Sequence, residues 1–576
     1  MLKQYTVGVR VRPRSLRIFE PDRCEQASSS EVSFVRRMRR FMNRWSFRHT
    51  IALVLISATG CASWGEPTSV PLARGGETVI VTGYRFIAER FVRNVPIPQI
   101  ALSGLKGLTL IDPQTWAKER GGSIVVNHNG KIIAHLDRPG TRDIEGWARV
   151  TVQAFQIAKN VSVKIRNAPS EEVYRVLFSS TLASLDRYSR YSTSAEARDS
   201  RAWRDGYGGI GIIIRSEKDE IRIITVMPGS PGQKAGLKDN DVITAIAGIP
   251  VSKMSLGSVV QRLRGPKASR VLVTVRRVTR KKPLTVAVTR QFIIPNTVIA
   301  HREDKAIYIR LTRFSRGTAR KITKAVARWR SRIGKHKVTG VILDLRNNPG
   351  GLLDQSIKVS DLFLNSGSIA YTKGRHPESF QQYTARGGDI LGGKPIVVLV
   401  NGRSASSSEI VAAALQDNER AVIVGSNSFG KGTVQSVASL PNQSEMILTW
   451  SRLHAPSGYT LQGLGVRPNI CTSLEARNSR STATHLIKDK IAQADVFQSW
   501  RQYTAPLLQV AETLRAGCPP KALAGPFDVE MVIARQLLKD KVLYEKVLAA
   551  SIRRTSRPTA RRLRFGNDRA AITTTR

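Results

Sequence analysis

The sequence predicts a multidomain α/β protein with helical regions at both ends. Three observations carry this. The chain has 576 residues, too many for one core at the usual domain size of about 100–150 residues. Between 338 and 440, buried-type strands are followed by turns and helical patterns, the strand–turn–helix order of an α/β domain. Between 206 and 292 the pattern is one of short strands broken by turns, which reads as a β domain of its own.

Composition narrows the class. Apolar residues make up 41% and charged residues 23%, as in ordinary globular protein rather than disordered chain. The charge balance is unusual: 91 Lys and Arg against 43 Asp and Glu leave +48. The two ends hold only the smaller part of this excess, so most of it is spread over the body. Such a surface attracts anionic lipid, acidic protein or nucleic acid. Solvated Arg-rich faces are the commoner outcome, and dedicated nucleic-acid binding is not expected.

Residues 1–61 read as an export segment. Arg36, Arg37, Arg39, Arg40, Arg44 and Arg48 precede the apolar run 51–57, which leads into Ala58-Thr59-Gly60-Cys61. A basic start, a short apolar stretch and small residues describe a secretory signal. The run is far shorter than the ~20 apolar residues of a spanning helix. A start at Met42 would make a complete short signal and leave 1–41 as a misassigned beginning. Gly60-Cys61 resembles a bacterial lipobox, with Cys61 as the lipidated residue. Ala58 stands where that motif prefers Leu, so plain cleavage stays as the alternative. The expected location is the bacterial cell envelope, in the periplasm, with membrane anchoring through a lipidated N-terminus.

Cys24 and Cys61 lie in or before the signal, leaving Cys471 and Cys518 in the exported chain. An oxidising compartment favours their pairing; two separate buried thiols are the alternative. The eight histidines are scattered, with no HExxH and no CxxC. No metal site and no cofactor is expected.

Residues 62–205 read as mostly helical. Apolar residues recur at helical spacing over 85–92 and again at Ala101, Leu105 and Leu108, where Gly104 and Gly107 weaken the pattern. Pro169-Ser170-Glu171-Glu172 is a helix start ahead of 173–185. Between these, 123–126 and 131–136 flank Asn129-Gly130, a hairpin signal.

Residues 206–292 contain strands at 210–214, 221–226, 242–246, 271–275 and 284–288. "SPGQKAGLKDNDVITAIAGIPV" (230–251) holds a short helix, a turn and a strand, and here the chain resembles a PDZ domain. Asn240-Asp241 stands where that family usually has Gly-Asp; Asn tolerates the left-handed turn. "YGGIGI" (207–212) is similar to the family's carboxylate-binding loop, formed by Gly208, Gly209, Ile210, Gly211 and Ile212. Its glycines let backbone N–H groups face the carboxylate of a peptide terminus. A plain tight turn is the alternative. Residues 261–290 hold ten basic side chains and no acidic one, either a solvated tip or a contact for lipid headgroups. The helical stripe Ile322, Val326, Trp329 and Ile333 reads as core contact.

The chemistry lies between 338 and 440. Strand 338–343 ends in "DLRNNPGG" (344–351); strand 396–400 precedes "NGRSASSSEIVAAALQD" (401–417); strand 422–424 precedes "GSNSFGKGTVQ" (425–435). Strand–turn–helix puts one of these serines at a helix N-terminus, where free N–H groups favour negative charge. That suits an acyl-transfer nucleophile and its oxyanion. No histidine lies near in sequence. Lys431 sits among glycines, with no carboxylate between 426 and 440. With an ordinary pKa of about 10.4, it acts as a base only if burial lowers that value. On an extended strand Lys431, Thr433 and Gln435 share a face, so Gln435 is placed to orient the amine. Spacing alone leaves the rival open: N-cap serines and a surface lysine.

As a set, "DLRNNPGG", "SASSSEIVAAALQD" and "FGKGTVQ", following a PDZ-like region, resemble the carboxyl-terminal processing (tail-specific) proteases over about 80–475. The resemblance implies a crotonase-like α/β protease core at 293–475, with the PDZ-like domain inserted ahead of it. It implies a Ser–Lys dyad of Ser406 and Lys431 supported by Gln435. It implies oxyanion donors from Ser407 and from Gly350 or Gly351, and protein substrates with exposed C-termini. Ser407 departs from the family's usual Ala, and Asn469 from its usual Asp. Residues 476–550 then read as a helical extension, with 529–548, behind the turn Cys518-Pro519-Pro520, as its main helix, and 551–576 as a basic disordered tail. A non-catalytic PDZ scaffold needs only the "YGGIGI" loop, and an anionic-surface binder needs only the basic faces.

Overall fold

Unbroken runs of Val, Ile and Leu bury both faces of a strand. Val341–Asp344, Ile396–Val400 and Val422–Gly425 are such strands, with every residue buried. In the computed structural model they lie side by side and parallel. The model describes residues 75–217, 219–473, 480–489, 491, 494–504, 507–521 and 528–550. Cys61 and the expected signal, as well as the tail 551–576, lie outside the described residues. Ala306–Leu311 adds a parallel neighbour on one side and Ile470–Cys471 on the other. Val298–Glu303, paired antiparallel, closes the row of six.

The period of two along these strands supplies two cores. Val341, Leu343, Ile396, Val398 and Val400 face one layer, which includes helices Thr318–Ile333, Leu353–Asp361 and Ser407–Asp417. Ile322, Val326 and Ile333 are buried there as the stripe predicts, and Trp329 is partly buried against them. Ile342, Val397, Leu399, Val422 and Val424 face the other layer. That layer is made by C-terminal helices Arg480–Asp489, Val529–Lys539 and Lys541–Ala550. Each fully buried Ile, Leu or Val contributes on the order of 1.5–3 kcal/mol. The C-terminal helices therefore complete the core of the six-stranded sheet instead of extending it. The expected single helix over 529–548 is two. Asp540 is extended (φ −111°, ψ 98°), and its Oδ1 accepts the Leu543 N–H at 2.9 Å, starting the second helix.

The N-terminal region is helical apart from an antiparallel sheet of Thr115–Arg120, Ser123–His128 and Lys131–Asp137. Its hairpin turns at Asn129 and Gly130, both at positive φ. The helix expected through 101–108 breaks at Lys106 into Ile97–Leu105 and Gly107–Ile111. The core of this region also takes in Leu440, Met446 and Leu448, from beyond the "FGKGTVQ" segment. Arg190–Ser192 pairs with Glu445–His454 in a second sheet that includes Thr433–Ser439.

Strands Ile212–Glu217, Glu220–Val226, Val242–Ile246, Arg270–Arg276 and Leu284–Thr289 form the sheet of the PDZ-like domain, around its own core. The strands Val298–Glu303, Ala306–Leu311, Ser368–Lys373 and Gln381–Thr384 add to those read from the sequence.

Cys471 and Cys518 are joined as a disulfide, with Cα atoms 5.9 Å apart across 47 positions. The bond pins the segment after helix Leu508–Ala516 to the last strand of the central sheet. Replacing both cysteines with serine should lower unfolding free energy by roughly 2–4 kcal/mol. Urea titration of the oxidised protein and of the double variant measures this, and limited proteolysis should cut the variant first within 474–527.

Candidate active site

The turn 401–408 and the turn 345–351 follow neighbouring parallel strands, so they meet at one end of the sheet. Serine hydroxyls fasten them together. Ser404 Oγ donates to Leu345 O at 2.8 Å, Ser408 Oγ to Asn348 O at 2.9 Å and Ser407 Oγ to Gly351 O at 3.1 Å. The Ser407 hydroxyl, an oddity in the sequence, thus has a partner. Ser406 differs from the other three: its hydroxyl donates to no described group. It is partly exposed, caps helix Ser407–Asp417 and has φ 55°, ψ −113°, a backbone conformation that an L-residue adopts only when its surroundings enforce it.

Glu409 supplies that enforcement. This carboxylate is fully buried and takes four hydrogen bonds. Oε2 accepts from the Ser406 N–H at 2.7 Å and the Lys431 N–H at 2.9 Å. Oε1 accepts from Ser428 Oγ at 2.5 Å and the Gly430 N–H at 2.7 Å. One carboxylate oxygen therefore holds the backbones of Ser406 and Lys431 together. Burial pushes the Glu409 carboxyl up, and the four donors oppose the push. The sequence reading gave Glu409 no role, although Ser406-x-x-Glu409 is the spacing of a capping box.

Lys431 Nζ donates to Gln435 Oε1 at 3.0 Å, and Gln435 Nε2 donates to Tyr188 O at 2.6 Å. Gln435 meets Lys431 as strand spacing predicts, although the strand bulges between Val434 and Gln435. The Tyr188 ring lies 5.7 Å from Nζ. Burial lowers the Lys431 pKa, and the Arg190 guanidinium lowers it further; Glu409 and Asp186 act in the opposite direction. Two distant contributors were not read from the sequence: Tyr188, from the N-terminal region, and Arg515, from the C-terminal helices. Arg515 donates to the carbonyls of Ser428 at 2.9 Å and Phe429 at 3.2 Å, bracing the loop that carries Lys431.

Gly350 (φ 98°) lies against the serine turn. A Cβ there would come within 2.9 Å of Ser406 Cβ and 3.0 Å of Ser407 N, so only glycine permits the approach. Its N–H is taken by Asn348 Oδ1 at 2.9 Å. Among the described residues, the N–H groups of Gly351 and Ser407 have no acceptor. Asp344 and Arg346 set this turn: Arg346 Nη2 and Nε donate to Asp344 at 2.8 and 3.0 Å, and Nη1 donates to Asp528 at 2.6 Å. Asn469 Oδ1 accepts from Gln416 Nε2 at 3.0 Å and the Ile423 N–H at 2.8 Å, while its buried Nδ2 has no partner. An aspartate there would have no such orphan donor.

In the PDZ-like domain, Tyr207–Gly209 pairs with Gln291–Ile293. The carbonyls of Ile210 and Gly211 accept from Gly232 and Met227 N–H groups at 2.7 and 2.9 Å. The Ile210 and Gly211 N–H groups have no acceptor among the described residues. Gly211 has φ 73°, and a Cβ there would strike Ser230 Cβ at 2.4 Å.

Comparison with known proteins agrees with this division. The family model described as Peptidase family S41 matches residues 305–472, and a PDZ domain model matches 222–277. The chain is 40% identical over 290 residues to the carboxy-terminal-processing protease of Bartonella bacilliformis, spanning 50% of this chain and 67% of that one. It is 38% identical over 265 residues to the carboxyl-terminal-processing protease of Picosynechococcus, spanning 45% of this chain and 63% of that one. The solved photosystem II D1 C-terminal processing protease is 24% identical, with a TM-score of 0.35, covering 68% of this chain and 92% of that one. Both the matched segments and the extent of the Bartonella alignment place the chain in peptidase family S41, among the serine peptidases that process carboxyl termini.

Proposed function

We propose that the protein cuts protein substrates through an acyl-enzyme formed on Ser406, with Lys431 as the base, after the PDZ-like domain has taken hold of the substrate's C-terminus. The observation that carries the reading is the Glu409 carboxylate shared by the Ser406 and Lys431 backbones, with Ser406 the serine of its turn whose hydroxyl donates to no described group. Neutral Lys431 accepts the Ser406 proton as Oγ attacks the carbonyl carbon, then returns it to the leaving amine. Water, deprotonated in turn by Lys431, releases the acyl group. Gln435, anchored on Tyr188 O, keeps the amine pointed. The oxyanion lies against the N–H of Ser407 and of one of the two glycines; Gly351 is the one whose N–H is free, and Gly350 gives the close approach. The six-stranded sheet and its helical layers fit the crotonase-like core that the resemblance implies. Export with lipidation at Cys61 belongs to the same proposal. No helix among the described residues is long and apolar enough to cross a membrane.

Ser406→Ala and Lys431→Ala should each abolish turnover of a protein substrate while leaving the unfolding midpoint within a few degrees of wild type. Lys431→Arg should be equally inactive, since a guanidinium does not deprotonate in proteins. Full activity in Lys431→Arg would rule out the dyad.

The pH profile follows from Lys431. Only the neutral amine acts as base, so the rate rises as pH climbs through its pKa, and the lowered value brings the plateau to lower pH. Arg190→Gln removes a cation that disfavours the ammonium form. The acidic limb of kcat/KM should therefore move to higher pH, with the plateau rate little changed.

Substrate capture is tested by amidation. A peptide with a free apolar C-terminus should be cut faster than its amidated twin, because the amide removes the carboxylate to which the Ile210 and Gly211 N–H groups would donate. Equal rates would show that the loop does not read the terminus.

A further inference from the structure

A cavity of about 260 Å³ opens beside Lys431. The N-terminal region and the sheet of Thr433–Ser439 and Glu445–His454 wall it together. Tyr188, whose ring lies near Lys431 Nζ, forms part of the wall. So does Gln462, whose Oε1 accepts the Gly432 N–H at 3.1 Å and whose Nε2 donates to the Tyr188 hydroxyl at 3.2 Å. The cavity therefore reaches Thr433, two residues beyond Lys431, and Gln462, which holds the Gly432 N–H. It is smaller than most ligand pockets and suits a single side chain.

Its chemistry is specific. Thr433 and Thr449 are buried, 8% and 2% exposed, and the Oγ1 atom of each has no partner among the described residues. Three arginines, Arg93, Arg187 and Arg452, share the lining. Arg452 stands directly opposite Thr433 in the strand register, so the two project on one face. Its guanidinium has no hydrogen bond or ion pair with a described residue. Arg187 donates to the Tyr188 hydroxyl at 2.6 Å and Arg93 to Leu185 O at 2.8 Å. Asp186 is the one carboxylate in the wall, and it is committed. Its Oδ1 accepts the Tyr188 and Ser189 N–H groups at 2.7 Å, and its Oδ2 accepts Ser189 Oγ at 3.3 Å. The cavity thus presents an excess of cationic side chains over its one committed carboxylate, while the two unpartnered threonine hydroxyls lie closed off within its wall.

We infer that this cavity is a substrate subsite for an acidic side chain, Glu or Asp, close to the scissile bond. The inference rests on the dyad reading for its place in the reaction, though not for the binding itself. A carboxylate entering here accepts from Arg452, whose guanidinium the fold leaves without a partner, in a charge-assisted hydrogen bond that an apolar side chain cannot make. A lysine side chain would face three arginines and only one carboxylate, Asp186, already taken by its own turn. The subsite makes this peptidase selective for acidic stretches, in keeping with the chain's net charge of +48.

The test uses the full-length protein and peptides that share one free C-terminus and differ by a Glu-for-Gln exchange, moved through the positions flanking the cleaved bond. At one position Glu should raise kcat/KM about tenfold over Gln, the scale of a charge-assisted hydrogen bond, and the gain should shrink as salt shortens electrostatic reach. Arg452→Gln should bring that ratio close to one, and Arg452→Lys should keep part of it. Equal rates for Glu and Gln at every position in the wild type would overturn the subsite, whether or not the Arg452 variants fold. Anisotropy with the Ser406→Ala protein separates the two readings. Tighter binding of the Glu peptide upholds the subsite even if turnover implicates another nucleophile, and equal binding of the two peptides counts against it.

Discussion

A buried carboxylate is costly unless donors surround it, and Glu409 turns that cost into geometry. Its four hydrogen bonds come from two separate segments, the serine turn and the 428–431 loop, which only the fold brings together. Because each donor satisfies the same side chain, neither segment can shift without leaving a buried charge short of partners. The unusual backbone of Ser406 is held in this way, and the spacing of the proposed dyad follows from the arrangement. The lysine is treated differently: Glu409 takes its backbone N–H, and its Nζ is left to a neutral amide. A carboxylate bonded directly to Nζ would hold the ammonium form, which could not serve the proposed role of base.

The parts of this arrangement legible in the sequence are those carried by local pattern. The buried-type strands read at 338–343, 396–400 and 422–424 announced the central sheet, and "SASSSE" announced a helix N-terminus loaded with serines. The pairing of Lys431 with Gln435 followed from strand periodicity and survived a bulge. Contributions made across long sequence distances were not legible. Tyr188 lies nearly 250 positions before Gln435, and nothing in "LDRYSRYS" marks one carbonyl as an anchor. Arg515 looked like any other arginine in a chain rich in them. The division of 529–548 into two helices depends on one aspartate taking an extended conformation, which propensity does not foresee.

The arginines divide into two populations. Some are fixed in pairs or on carbonyls: Arg346 between Asp344 and Asp528, Arg277 on Asp241, Arg290 on the carbonyls of Arg262 and Leu263. These replace a Lys badly, because each uses the planar fork of donors. Others, such as Arg452, remain uncommitted. The bulk charge of the protein therefore says little by itself; what matters is which guanidinium groups have already been used by the fold.

The core that Leu440, Met446 and Leu448 share with the N-terminal helices has a consequence for how such a protein can be inherited. The segment recognisable as peptidase, 305–472, is bounded by motif and not by packing. Cut out alone, it would present that apolar strand face to water and lose the carbonyl that steadies Gln435. Recombination that moved only this segment into another gene would deliver an unstable fragment, whereas the PDZ-like domain, with a core of its own, can be exchanged or lost more freely. The enzyme's minimum evolutionary unit thus includes the helices ahead of the PDZ-like domain, and the insertion interrupts a single folding unit.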